Sequence, residues 1–267
     1  LSAEFSSAPS ISDRGPVSGV EDSAGVQLFG ADAVTAPESA TMEAVVQVTA
    51  GNGTLSTGTF SGDQLFNQGS RSDINGFLDS LVFVPDANWS GTATVSVTIE
   101  ADFNNRGQVT TFDLSVSVSP LNDAPSGADA TVSVNEDTPY VFSVGDFGFS
   151  DLNDNPPNSL SAVKITTIPT SGSLNLSGVS VTAGAVVTLA EISGGQLAFV
   201  PGANANGVGY SSFTFQVQDT GGTTNGGADL DPTANTITIN VTPVNDTPVT
   251  VDGSISAQKN TTAQFGL

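Results

Sequence analysis

Along most of this chain apolar and polar residues alternate one for one, the period of a strand with one buried face. Runs of this kind at 25–29, 44–49, 80–84, 92–99 and 108–118 predict strands in the first half. A second set is predicted at 131–134, 140–144, 162–167, 173–176, 186–189, 196–200, 211–218 and 236–241. Asn52-Gly53, between Val48 and Leu55, predicts a two-residue hairpin. The one helix expected is short, over 72–78, capped by Ser72, with Ile74, Phe77 and Leu78 on a shared face. About seven or eight short strands per half, with turn residues between them, predict an all-β chain of tandem antiparallel β-sandwiches with Greek-key connections.

The two halves are copies. Leu121-Asn122-Asp123-Ala124-Pro125 returns as Val244-Asn245-Asp246-Thr247-Pro248, 123 residues on. Pro85-Asp86-Ala87-Asn88-Trp89-Ser90-Gly91 returns as Pro201-Gly202-Ala203-Asn204-Ala205-Asn206-Gly207 at an offset of 116, and Glu21 returns as Glu136 at 115. Such a period is long for a solenoid unit but ordinary for a small β domain. The expected organisation is a preceding linker at 1–9, a first repeat at 10–123, a second at 124–246, and the start of a third at 247–267. In that third copy Ile255-Ser256-Ala257-Gln258-Lys259-Asn260-Thr261 overlies Val132-Ser133-Val134-Asn135-Glu136-Asp137-Thr138. The chain is expected to be a piece of something longer. Each Asn-Asp pair sits at a joint, before a Pro that stiffens the exit. Short oxygen-bearing side chains at a joint point to a hard cation, Ca2+ first among them.

Composition narrows the partners. Five basic residues face 27 acidic ones, a formal net charge of −22. That argues against nucleic acid and anionic membrane surfaces, which need Lys and Arg. No apolar run approaches a membrane span, so no membrane insertion is expected in this segment. Cysteine and histidine are both absent, which removes disulfides, thiolate metal sites, Ser-His-Asp triads and Cys nucleophiles.

Asn135-Glu136-Asp137-Thr138, the apolar run at 196–201, Asn206-Gly207 with the strand ending at Asp219, and Pro243-Val244-Asn245-Asp246-Thr247-Pro248 together resemble the cadherin-like tandem repeats of large bacterial surface adhesins. The likeness covers the second repeat end to end, the first with gaps, and the opening of the third. It implies a cadherin/immunoglobulin-like sandwich and calcium at the joints, stiffening an extracellular or cell-surface extender that supports cell–cell or cell–surface attachment. Neighbouring repeats of the same chain are then partners. Polysaccharide and other copies of the chain are further candidates.

Calcium takes six to eight oxygens, so segments distant in sequence have to converge. By the resemblance, the first joint gathers Glu21, Asn122 and Asp123 with Asp151, Asn153 and Asp154 from a long loop and Asp219 from a strand end. Glu136, Asn245 and Asp246 are the matching candidates at the second joint. Asp32 and either Glu100 or Asp102 are candidates at the far end of the first repeat. The plainer alternative is that these Asp and Asn residues only make Asx turns. Asp151-Leu152-Asn153-Asp154-Asn155 brushes the EF-hand pattern, but Pro156 replaces the required Gly and Ala162 the required Glu. Asp229-Leu230-Asp231, in a Gly-rich loop, reads as a solvated turn. No carboxylate pair stands out for glycoside hydrolysis, and Trp89, whose counterpart is Ala205, reads as a plug at one end of the sandwich. An enzyme is therefore not expected. The alternative function kept open is a calcium-dependent carbohydrate-binding module of a secreted polysaccharide-degrading system.

Overall fold

The structure is a computed structural model that describes residues 8–12, 15–36, 41–103 and 106–247. The expected third copy, with Lys259, lies outside the described residues. Strand-like alternation becomes two-layer packing twice over. In Gly91–Phe103 the inward positions Ala93, Val95, Val97, Ile99 and Ala101 are all buried. In Gly207–Asp219 the same parity carries Phe213, Phe215 and Val217. Each set of strands closes its own core. One is built around Phe29, Phe83 and Leu114, the other around Phe142, Phe147, Phe199 and Phe215.

The sheets of the two halves correspond strand for strand. A five-stranded sheet runs Val17–Val20, Arg106–Ser119, Gly91–Phe103, Thr41–Ala50, Gln64–Gly69; its counterpart runs Ala130–Asn135, Asn235–Thr242, Gly207–Asp219, Leu160–Ile165, Val186–Thr188. The facing four-stranded sheets run Val26–Gln27, Val82–Pro85, Gly53–Ser56, Ser61–Gly62, and Tyr140–Val141, Leu197–Val200, Ser173–Leu176, Val179–Ser180. Pairing is antiparallel except where the opening strand of each half lies parallel to its last one. A small extra pair, Ser10–Ile11 with Val34–Thr35, accompanies the first half. Among the described residues no helix is long and apolar enough to cross a membrane.

Several local expectations are corrected. Asn52-Gly53 does not close a hairpin, because Thr41–Ala50 and Gly53–Ser56 belong to different sheets. The turn carries the chain across the sandwich, and Gly53 is needed there. At φ 151°, a Cβ would lie 2.5 Å from the Phe83 ring. Gly172 meets Phe199 in the same way. The first helix, Arg71–Asp79, is capped by Ser70 and not Ser72: the Asp73 N–H donates to Ser70 Oγ, while the Asp73 carboxylate accepts from the Ser70 N–H. A second helix, Leu189–Ser193, interrupts the strand expected to reach 189. Thr188 and Glu191 form the same reciprocal cap there. The strand expected at 140–144 stops at Val141 and gives way to a 3-10 turn, Val144–Phe147. Strand Gln64–Gly69 is not signalled in the sequence, since Gln-Leu-Phe-Asn-Gln-Gly lacks alternation.

The first helix also buries a polar side chain. Asn75 Oδ1 accepts from the Val34 N–H (2.8 Å) and its Nδ2 donates to the Val34 carbonyl (3.1 Å). Replacing Asn75 with Leu orphans both backbone groups and should cost about 2 kcal/mol or more. Trp89 packs on Phe83 at 6.5 Å between centroids and is the chain's single Trp. Its fluorescence during denaturant unfolding therefore reports this half, and an unchanged midpoint for Asn75→Leu would refute the assignment.

Candidate metal centre

The inward parity of Gly207–Asp219 ends on an acid. After Phe213, Phe215 and Val217, the next inward position is Asp219, 3 % exposed. The loop ahead of Leu160–Ile165 brings Asp151 and Asp154, 5 % and 7 % exposed, to the same place. Carboxylate oxygens of these three residues lie within 4.8 Å of one another. Asp151 Oδ2 accepts from the Asn158 N–H (2.6 Å), but Asp151 Oδ1 is buried with no hydrogen-bond partner.

The segment 121–123 is bonded to both halves. Glu21, buried at 3 %, accepts the Leu121 N–H on Oε1 at 2.7 Å. Asn122 Nδ2 donates to Asp219 and to the Ala228 carbonyl, while Asn122 Oδ1 accepts from Asn158 Nδ2 at 2.6 Å. The Asp123 N–H donates to Asp154 Oδ2 at 3.2 Å. Asp123 Oδ2 is itself buried without a partner. Of the residues expected at this joint, then, Asp151, Asp154 and Asp219 converge, Asp123 and Asn122 bond to them, and Glu21 holds the incoming chain. Asn153 is exposed and makes no described contact with the cluster.

At the second joint the same tether recurs without a cluster. Glu136 Oε1 accepts the Val244 N–H at 2.6 Å, and its Oε2 accepts from Asn206 Nδ2. Asn245 and Asp246 are exposed, and among the described residues nothing gathers around them. Asp32, Glu100 and Asp102 are also exposed; the last two alternate with the buried positions of their strand and so face outward.

Three contributors lie outside the expected ligand set. Asp22 accepts the Asn88 N–H (3.1 Å), as Asp137 accepts that of Asn204 (3.1 Å), and its charge reaches Asp123. Asn158 braces both Asp151 and Asn122. Asp231 corrects the expected solvated turn. It is 1 % exposed, and its carboxylate accepts from Gly127, Thr233 and Asn235. Only the tertiary fold shows that this loop returns into the protein.

Burial pushes the carboxyls of Asp123, Asp154 and Asp219 above their ordinary value of 3.8. The charge of Asp151 adds to each, and that of Asp22 adds to Asp123. No basic side chain is among the causes. The cluster can hold either protons or a cation bound through oxygen. Carboxylate and amide oxygens without nitrogen or sulfur suit a hard divalent ion such as calcium.

A raised folded-state pKa means the folded chain keeps protons that the unfolded chain releases, so protonation favours folding. In metal-free buffer, these three groups should add stability as pH falls from neutral towards their ordinary value of 3.8. Stability should turn down at lower pH as Glu136, Glu191 and Asp73, all held below their ordinary values by hydrogen bonds, protonate. If calcium binds, its stabilising increment should shrink over the same window because protons compete for the ligands. Asp231→Ala should lower the melting temperature equally with and without calcium. Thermal melts across pH check each statement, and a metal-free protein that loses stability steadily from neutral pH downward would contradict the first.

No protein-family profile and no curated protein matches the chain. Among solved structures it is similar to human mucin-like protocadherin EC1-2, at 17% identity and a TM-score of 0.38, over 88% of this chain and 98% of that one. It is similar to Drosophila N-cadherin EC1-4 at 13% identity and a TM-score of 0.42, over 89% of this chain and half of that one. An endo-fucoidan hydrolase of glycoside hydrolase family 107 is similar at 15% identity and a TM-score of 0.29, with 30% of its length covered. Likenesses of this strength carry no argument about what the chain does, which has to come from its own residues.

Proposed function

We propose that the joint at 121–125 binds calcium and that the chain is a calcium-stiffened extender segment of an extracellular adhesin. The supporting observation is the pair of buried, unpartnered carboxylate oxygens, Asp151 Oδ1 and Asp123 Oδ2, beside Asp154 and Asp219. A divalent cation would satisfy both and offset the mutual repulsion of four acids. Asp151, Asp154, Asp219 and Asp123 are the proposed ligands. Asn122 holds Asp219 and the 228 backbone, and Glu21 presents the linker.

Stiffening would follow from where these groups sit in the chain. Glu21 comes from the first repeat, Asp123 from the linker, Asp151 and Asp154 from a loop of the second repeat, and Asp219 from the end of one of its strands. A cation shared by Asp123 and the loop acids would restrict the backbone between Pro120 and Pro125. The tether of Glu136 to Val244 supports a similar joint at 244–248, with its remaining ligands supplied by the following repeat. Adhesion is the role that best suits a chain whose chemistry lies at its joints. The carbohydrate-binding alternative has no comparable observation behind it.

At a hundredfold excess over Kd, calcium should stabilise the protein by about 2.7 kcal/mol per site. Equal magnesium should rescue poorly, because it gives up its water reluctantly. Superimposable melts with calcium and with chelator would refute calcium binding. Small-angle scattering should show a narrower spread of particle dimensions with calcium, and Asp123→Ala should remove that difference while each half still melts cooperatively. If the variant stiffens like the parent, Asp123 is not a principal ligand.

A further inference from the structure

Strand Gln64–Gly69 forms one edge of the five-stranded sheet in the first half, paired only with Thr41–Ala50. The Val48 N–H donates to the Asp63 carbonyl at 2.9 Å. By alternation the ladder bonds then fall on 65, 67 and 69, and the backbone groups of Gln64, Phe66 and Gln68 point away from the sheet. Asn67 Oδ1 takes the Gln68 N–H. No described residue pairs with the outward backbone groups of Gln64 or Phe66. A groove of about 670 Å3 runs along this edge, walled by Phe60, Leu65, Phe66 and Phe77. Its lining contains no charged side chain, and Phe60 and Phe66 are 70 % and 71 % exposed.

We infer that this edge pairs with the same strand of a second copy of the chain, antiparallel across a two-fold axis. The strand is complementary to itself. Centring the axis on Phe66 sets Gln64 opposite Gln68 of the partner subunit, and Phe66 opposite Phe66 of the partner subunit. Gln64 and Phe66 offer outward N–H and C=O groups there and Gln68 its C=O, its own N–H being held by Asn67, and the two rings would lie side by side on the outer face. Charge selects the place. Two chains of −22 repel over most of their surface, whereas Gln64–Gly69 and the groove beside it are neutral. The strand also lacks the Lys, Pro or inward-pointing charge that ordinarily blunts an exposed edge. In the second half the corresponding edge, Val186–Thr188, is only three residues long, so the feature is particular to one repeat. Since the pairing uses no residue of the metal centre, it should hold with or without calcium.

Light scattering over a concentration series, in calcium and in chelator, tests this directly. The expected result is a dimer that grows in with concentration in both buffers. Phe66→Pro removes an outward N–H without removing a ladder bond, and it should weaken association by about tenfold or more. Phe66→Lys should do the same by charge should the Pro variant fail to fold, as judged by Trp89 emission. Val186→Lys should change nothing. A chain that stays monomeric to millimolar concentration overturns the proposal, as does a dimer indifferent to both Phe66 substitutions. Perturbation of Phe60 and Phe66 resonances by a neutral polysaccharide, on a chain that remains monomeric, would assign the groove to a glycan and also overturn it.

Discussion

Four acids crowd one end of the second sandwich, and burial and mutual repulsion act on them with no basic side chain among the causes. Asp151, Asp154 and Asp219 are each more than nine-tenths buried, and Asp123 leans in from the linker. Each hydrogen bond around them serves to hold negative oxygens close together. Asn122 donates to Asp219, Asn158 to Asp151, and the Asp123 backbone to Asp154. A protein that only needed a turn there could manage with one Asp. Two carboxylate oxygens buried without a donor are costly in the absence of a proton or a cation. The proposed calcium would supply the partner that both oxygens lack.

The two halves share a frame and differ in what its ends carry. Glu21 and Glu136 make the same bond to the first linker N–H. Asp22 and Asp137 make the same bond to the turn at Asn88 and Asn204. The divergence lies at strand ends and edges. On the strand that ends at Asp219 in the second half, the equivalent position in the first is Phe103. The acids near it, Glu100 and Asp102, alternate with the buried positions and face solvent. Conversely, the first half extends its sheet edge to six residues where the second has three. One frame thus offers an acidic cluster at one end of one copy and an uncovered edge on the side of the other.

Much of this was legible in the residues. Alternation marks the long strands because a half-buried strand must present one face to water, and the offsets of 115 to 123 residues disclose the duplication. The Asn-Asp pair beside Pro marks each joint, whereas the loop and strand-end acids Asp151, Asp154 and Asp219 are nominated only by the resemblance to cadherin-like repeats. Strand Gln64–Gly69 could not be seen, since an edge strand buries little and need not alternate. The Asn52-Gly53 pair signals a hairpin that does not form, because that signal is local while the choice between pairing and crossing the sandwich depends on which strand lies beside Gly53.

By itself, then, the sequence determined the all-β class, the repetition, the exclusion of thiol and imidazole chemistry, and the small set of acids at the joints. Tertiary structure alone decided which of those acids meet. Asp151 and Asp219 are far apart along the chain, and only sheet register places both at one end of a sandwich while leaving Asn153 in solvent. It alone made Asp231 a buried anchor and left two carboxylate oxygens without donors. Side-chain type is a property of single positions, whereas burial and convergence belong to the packed chain.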